Sequence, residues 1–405
     1  MNSDSKPPKH GPLKGIRILE LGQLIAGPFT TTMLGYYGAE VIKIEPPGIG
    51  DPIRRWRSMK GDTSLWWYSI GRNKKSVTVD LRHPDGQAIV RDLAAQCDVL
   101  VENFRPGVME GWKLGPGDLK AANPDLVYTR ISGYGQTGPY AEKPGFASVC
   151  EGISGFRYLN GFPGEAPVRP NLSLGDSIAS LHAVIGILMA LNARERGLHQ
   201  GQVIDVALYE TMFNMLESVV PEYAEQGIIR EASGTTLTGI VPTNTYRCKD
   251  NKFVIIGGNG DSIFKRLMTE MGRHDFAADP AMADNAGRVT HQKVIDDAIA
   301  NWCRQHPIQT VIEKLEAVRV PAGPVYNAED MANDPHFQAR GLFEKVNIDA
   351  TNTVTIPGMS PKLSGTPGAT QWPGPKLGEH TNEILTELLD ISPENLQALK
   401  NNAVI

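Results

Sequence analysis

Gly15-Ile16-Arg17-Ile18-Leu19-Glu20-Leu21 is a short run rich in isoleucine and leucine that reads as a strand. A Gly27-Pro28 break follows, then an apolar helix through about Tyr37, then Glu40-Val41-Ile42-Lys43-Ile44-Glu45, a second strand. Working outward, the alternation continues. Ser76–Leu81 is a third strand, and the next helix begins at Pro84, where proline suits a first helical turn. Asp98–Glu102 and Leu126–Ile131 are two more strands, and Gln202–Leu208 follows a long apolar helix over Ser177–Arg196. Strands separated by helices of this length imply parallel βαβ units. The expected fold class is therefore α/β, an open doubly wound (Rossmann-like) parallel sheet.

Beyond a further helix at Tyr209–Tyr223 the pattern changes. Residues 234–246 dissolve into Gly, Thr and Pro and read as a hinge. A smaller α+β unit comes next, with a strand at Phe253–Ile256 and helices at Ser262–Met271, His291–Gln305 and Ile308–Val318. The last ~70 residues are rich in proline and glycine, a loop-rich length that fits a segment wrapping another surface. They turn helical only at Asn382–Leu389 and Pro393–Asn401.

With 41% hydrophobic and 21% charged residues, the 405-residue chain is neither disordered nor fibrous. Its 40 basic and 45 acidic side chains leave a net charge of −5 without a long charge run, which argues against a nucleic-acid or membrane-surface partner. The longest apolar stretch, Ala183–Leu191, falls short of the ~20 residues of a membrane helix. Met1–Gly11 is polar and lacks the apolar region of a signal peptide, so residues 1–11 are expected to be a flexible tail and the protein cytoplasmic. Cys97, Cys150, Cys248 and Cys303 are scattered without paired metal spacing; they read as reduced core residues, and no metal is expected.

The familiar chemical motifs are missing. Gly257-Gly258-Asn259-Gly260 joins a strand to a helix but lacks the third glycine of a dinucleotide loop, and a tight turn is the better reading. Gly152-Ile153-Ser154-Gly155 is one residue short of a nucleophile elbow. Leu174-Gly175-Asp176-Ser177 stands where a polar segment becomes the long apolar helix. Asp176 there reads as an N-cap, accepting backbone N–H bonds. A carboxylate at a helix start, with glycine leaving room behind it, is equally suited to act as a nucleophile, and the two roles are compatible. Basic and polar clusters flank the strands: Arg54-Arg55-Trp56-Arg57, Arg72-Asn73-Lys74-Lys75, Arg82-His83 and Asn103-Phe104-Arg105-Pro106-Gly107. Those after Leu81 and Glu102 lie at carboxyl ends, where open α/β sheets take ligands. A ligand carrying several phosphates, with a flat base over Phe104, fits such a site.

Six ordered motifs carry a resemblance. They are Gly15–Leu21 with Ala26-Gly27-Pro28, Gly38–Glu45, Val101–Gly107, Ser132-Gly133-Tyr134-Gly135-Gln136-Thr137-Gly138-Pro139, Leu174–Ser177, and Leu377-Gly378-Glu379-His380-Thr381. Together they resemble the class III coenzyme A transferases, a family that includes formyl-CoA transferase, carnitine CoA-transferase, the succinyl-CoA–dicarboxylate transferases and 2-methylacyl-CoA racemase. The resemblance implies an interlocked homodimer. Each subunit would have a large CoA-binding domain of residues 12–225 plus 331–405 and a small domain of residues 226–330. It implies Asp176 as nucleophile and Gln23 as the group that positions substrate and its oxyanion. Val79, Leu81, Arg82, Asn103, Phe104, Arg105 and Lys143 are then expected along CoA. The implied reaction moves CoA from a short acyl-CoA, such as succinyl-CoA, to a small organic or dicarboxylic acid through a covalent aspartyl intermediate. It needs no metal and no permanently bound cofactor, since one thioester is exchanged for another and CoA is itself substrate.

Three departures narrow this. Racemases of the family carry a Gly-His-Asp stretch where this chain has Gly145-Phe146-Ala147, without the acid and base that racemisation requires. Formyl-CoA transferase has a tetraglycine loop where this chain has Thr235–Pro242. Several dicarboxylate transferases have arginine where this chain has Gln23, which leaves Arg54 or Arg55 as the candidates for a substrate carboxylate. The alternatives to transfer are racemisation of a 2-methylacyl-CoA and acyl-CoA binding without turnover.

Overall fold

A computed structural model describes residues 11–405, so the expected tail lies outside the described residues except for Gly11. The chain forms two compact units. Of the described residues, one comprises 11–156, Pro170–Pro221 and Ala339–Ile405; the other comprises Arg157–Arg169 and Glu222–Gln338. The sequence reading left 157–169 with the large domain. That segment joins the second unit because the Gly234 N–H donates to Gly161 O at 2.8 Å and the Tyr158 hydroxyl to Glu231 Oε1 at 2.6 Å.

The first unit is built on β1 (Arg17–Glu20), β2 (Glu40–Glu45), β3 (Lys74–Thr78), β4 (Val99–Glu102), β5 (Val127–Ser132) and β6 (Val203–Ala207). All pair in parallel, in the order β3-β2-β1-β4-β5-β6. A parallel sheet is covered on both faces, which is why its strands are apolar at consecutive positions rather than alternating. Ile18, Leu19, Ile42, Val99, Leu100 and Val101 are all fully buried. On one face lie α1 (Ala26–Tyr36) and the 22-residue α4 (Leu174–Glu195). On the other lies α2 (Pro84–Ala95), with Ile384, Leu385 and Leu396 from the far end of the chain. Between them in sequence, α3 (Ala147–Ile153) precedes α4.

The long helix α4 buries Gly175, Ala179, Ser180, Ala183 and Ala190 with Val184 and Ile187 against this sheet layer and leaves Leu181, Ile185, Leu188 and Met189 exposed. It is long and apolar enough to cross a membrane by length and composition, but its buried side is part of the sheet's core. It starts at Leu174, not Ser177, and its cap is Ser173. Asp176 is therefore the third residue inside the helix, which overturns the N-cap reading.

The second unit holds an antiparallel sheet of β7 (Thr243–Arg247), β8 (Phe253–Gly257) and β9 (Ala322–Pro324), in the order β9-β8-β7. Helices α5 (Asp261–Glu270), α6 (Gln292–Cys303) and α7 (Ile308–Ala317) pack on it through Phe264, Leu267, Ile295, Ile299 and Val311. Gly257–Gly260 is the tight strand-to-helix turn expected, and Gly260 caps α5.

The proline-rich tail does wrap a surface, but that surface is its own unit's sheet. After a hairpin of β10 (Phe343–Asn347) and β11 (Thr353–Pro357), it runs along the free edge of β3. His380 N–H donates to Ser76 O, Thr381 Oγ1 accepts from Thr78 N–H, and Val404 O accepts from Asp80 N–H. Helices α8 (Thr381–Leu389) and α9 (Pro393–Asn401) then close the face.

Candidate active site

The strand order reverses between β1 and β4, and ligands of open α/β sheets bind in the crevice outside the carboxyl ends at such a point. The turn leaving β1, Gly22-Gln23-Leu24-Ile25, runs into α1, whose cap residue Ile25 supplies no side-chain hydrogen bond. Three side chains hold its backbone. Lys43 Nζ donates to Gly22 O at 2.9 Å. Asn103, the first residue past β4, accepts from Gln23 N–H through Oδ1 and donates to Gln23 O through Nδ2, both at 2.8 Å. Asp51 accepts from Leu24 N–H at 3.0 Å. A Cβ on Gly22 would stand 2.9 Å from Asn103 Oδ1, so the approach of the two loops requires glycine there. Leu24 has φ 66°, a left-handed conformation that leucine adopts only when its surroundings impose it.

Beneath this turn lies a buried charge cluster. Lys43 contacts Glu20 at 2.7 Å and Asp51 at 2.9 Å, and Lys74 contacts Glu20 at 2.8 Å, with all four side chains fully buried. Burial alone would raise the Glu20 carboxyl, but the two ammonium groups hold it down to about 2. Burial pushes the Lys74 ammonium down to about 8, and the neighbouring Lys43 charge adds to that, because one carboxylate serves two lysines.

A cavity of about 250 Å³ opens over the turn, at the carboxyl ends of the first four strands. Its wall includes Gln23, Val79, Leu81, Arg82, Phe104 and Trp112. Phe104 meets Trp112 edge to face, with centroids 5.2 Å apart. Its backbone N–H is fixed by Glu102, whose carboxylate also pairs with Arg130.

Asp176 sits half-buried in the first turn of α4. The preceding Gly175 donates its N–H to Glu151 Oε1 at 3.1 Å, and Glu151 is fully buried on α3. A Cβ at Gly175 would meet Ala147 Cβ at 3.2 Å and Glu151 Cγ at 3.3 Å. Burial pushes the nearby Cys150 thiol up to about 11, with the Asp176 and Glu151 charges adding to that. One turn on, Ser180 Oγ lies 2.8 Å from both Ala26 O and Asp176 O, tying the start of α4 to the start of α1. A second cavity of about 400 Å³ has Ile25 and Ser177 in its wall, whereas Gln23 and Asp176 themselves do not line it.

The family model of CoA-transferase family III matches residues 13–381. The chain belongs to this family and is a CoA-transferase. Succinyl-CoA–D-citramalate CoA-transferase of Chloroflexus aurantiacus is 44% identical over 100% of both chains. Succinate–glutarate CoA-transferase of Agrobacterium fabrum is 34% identical over 94% of this chain and 97% of that one. A solved CaiB/BaiF family protein from Brucella suis, 32% identical, superposes with a TM-score of 0.82 over 94% of this chain and 100% of its own.

Within this CoA-transferase, the expected residues divide. Gln23, Val79, Leu81, Arg82 and Phe104 share the first cavity. Asn103 does not face outward, because both ends of its amide are used on the Gln23 backbone. Arg105 and Lys143 are exposed and lie outside that wall, and the Lys143 ammonium rests over the Tyr140 ring, 3.5 Å from its centroid. Arg54 is not available to a substrate carboxylate. Its nitrogens are spent on Glu45, Pro375 O and Ser76, and its guanidinium lies 3.7 Å from the Trp67 ring centroid. Arg55 is exposed. The sequence reading missed Glu151 and the Glu20–Lys43–Asp51–Lys74 cluster. The signal for the cluster was Lys43 between Ile42 and Ile44, a charge in a strand covered on both faces. Among the described residues, no group of three or more His, Cys, Asp or Glu side chains could hold a metal ion.

Proposed function

We propose that the protein moves CoA from succinyl-CoA to a small dicarboxylic acid of the malate and citramalate class, with Asp176 as covalent carrier. The observation that supports this most directly is Asp176 in the first turn of α4, whose backbone carbonyl shares the Ser180 hydroxyl with Ala26 O at the start of α1, the helix that follows the Gln23 turn. The names of the relatives support the substrates: D-citramalate in one, L-malate in another, succinyl-CoA in both.

The steps follow from the chemistry. The Asp176 carboxylate attacks the succinyl-CoA carbonyl, giving a succinyl–aspartyl anhydride and CoA thiolate. The thiolate attacks the aspartyl carbonyl, giving an aspartyl-CoA thioester and releasing succinate. The acceptor carboxylate displaces CoA from this thioester, and the thiolate then takes the acceptor acyl group, restoring Asp176. Each addition passes through an oxyanion, which a carboxamide donor such as Gln23, carried on a turn whose backbone is held, stabilises. The mainly apolar cavity floored by Val79, Leu81 and Phe104 accepts the flat base or the pantetheine arm of CoA, and Arg82 at its rim suits a phosphate.

The protein would act as a homodimer. The exposed Leu181, Ile185, Leu188 and Met189 along one side of α4 supply an apolar seam for a second copy.

Mass spectrometry of CoA esters tests the reading, after incubation with succinyl-CoA and L-malate, D-citramalate, glutarate or oxalate. New hydroxydicarboxyl-CoA species and a trapped aspartyl thioester on the Asp176 peptide are expected. Transfer without any label on that peptide would overturn the covalent route.

A further inference from the structure

We infer that Asn103 is a positioning residue for transfer: it locks the Gln23 backbone, with Lys43 and Asp51 completing the lock, so that the Gln23 side chain leaves the turn from one fixed point, toward the cavity where it meets the reacting carbonyl. The inference rests on the proposed role of Gln23 and extends it to the side chains that hold the Gln23 turn.

Every polar backbone atom from Gly22 O to Leu24 N is engaged by a side chain from elsewhere. Lys43 of β2 takes Gly22 O, Asn103 beyond β4 takes both Gln23 N–H and Gln23 O, and Asp51 takes Leu24 N–H. Asp51 is in turn fixed by Lys43 and by the Ile53 N–H. Among the described residues, the Gln23 carboxamide itself has no hydrogen-bond partner and lines the first cavity. The arrangement thus spends the backbone groups and leaves the side-chain amide unspent.

The lock also sits at a telling place. The loops after β1 and β4 are the two that part at a switch point to admit a ligand. Here Asn103 fastens one to the other, with Gly22 and Gly27 packed against its amide. A turn free to relax would let Leu24 leave its φ of 66° and swing Gln23 away. Preorganised donors act in the transition state because they are already in place, so loosening the turn should fall on kcat rather than on ground-state binding.

The test uses Gln23→Ala, Asn103→Ala, Asn103→Asp and the Gln23→Ala/Asn103→Ala double variant, assayed with succinyl-CoA and L-malate or D-citramalate. Losing one such donor costs roughly 10²–10³-fold in kcat, the loss expected for Gln23→Ala. Asn103→Ala should lose about 10–100-fold in kcat with its KM for succinyl-CoA within about two-fold, and the double variant should be no slower than Gln23→Ala alone. Asn103→Asp keeps the shape and the acceptor for Gln23 N–H but not the donor, should fall between, and preserves the test if Asn103→Ala does not fold. Hydrogen exchange gives a second readout that needs no turnover: the Gln23 and Leu24 amides should exchange faster in Asn103→Ala and Asn103→Asp. A raised KM at unchanged kcat, losses that multiply in the double variant, full kcat in Gln23→Ala, or unchanged exchange would each overturn the inference. A native protein that makes no new acyl-CoA, with exchange still responding to Asn103, would instead overturn the proposed reaction and leave the lock standing.

Discussion

The molecule has two glycine-bearing turns that carry a strand into a helix, and they differ in what they leave over. Gly22–Ile25 in the first unit is held by Lys43, Asp51 and Asn103 from outside the turn. Gly257–Gly260 in the second is held chiefly by Arg288, fully buried, which donates to Asn259 O at 2.7 Å, to Val241 O at 2.9 Å and to Asp261 Oδ1 at 2.8 Å. Both use a buried cation against backbone carbonyls. In the first turn a carboxamide is left facing a cavity; in the second the corresponding side chain, Asn259, is simply exposed. Glycine spacing therefore describes how sharply a chain turns, while chemistry follows from the polar group that the turn's own bonding has not consumed.

The largest expected effect is at the proposed nucleophile. Asp176→Ala should reduce transfer by roughly 10⁴-fold or more, as loss of a covalent nucleophile does, whereas Asn259→Ala in the second turn should leave turnover within about two-fold. A steady-state assay of acyl-CoA formation reads both, and equal losses would mean that the second unit's turn matters to transfer as much as Asp176 does. Next come the two buried cations. Lys43→Met strands the Asp51 charge and leaves Glu20 with Lys74 alone, and should lower unfolding free energy by about 3–5 kcal/mol in urea titrations. Arg288→Met should cost less, about 2–3 kcal/mol, because its carboxylate partner Asp261 is solvent-exposed and remains hydrated.

The third prediction concerns pH. Glu20 is held at about 2 against an ordinary 4.5, so its contribution is complete above pH 4.5 and disappears as pH falls toward 2. Glu20→Gln should therefore be less stable than the native protein by about 3 kcal/mol at pH 7, a deficit that shrinks through the window from 4.5 to 2. A deficit independent of pH would mean that packing, and not charge, is what Glu20 supplies. The smallest effect is at the cavity wall. Phe104→Ala should weaken CoA by about 1–2 kcal/mol in calorimetric titration, the value of one lost stacking surface.

The parallel sheet was legible because its strands are apolar at successive positions, and β2 falls on the six residues expected for it. Asp176 was misread as geometry, since Ser173 is also of a residue type that starts helices and a helix start is decided by whichever residue turns first. Arg54 and Arg55 look alike in sequence. What separates them is Glu45, which lies on β2 and takes one guanidinium out of use. Asn103 was legible as part of the ligand crevice but not as a brace, because its partner Gln23 is eighty positions earlier and no local pattern joins them. The tail's destination was illegible for the same reason: a proline-rich segment shows that it will lie on a surface, and only the unpaired edge of β3 shows which.

That edge sets an order of events during synthesis. β3 leaves the ribosome near residue 78, and the groups that cover it, from His380 to Val404, come some three hundred residues later. At about 5–20 residues per second the row of bare amides and carbonyls stays open for some tens of seconds. Throughout that time the nascent sheet offers a template for strands from other chains. The last stretch of polypeptide thus acts as the seal on the first domain to form, and loss of it should appear as aggregation in the cell before any loss of catalysis.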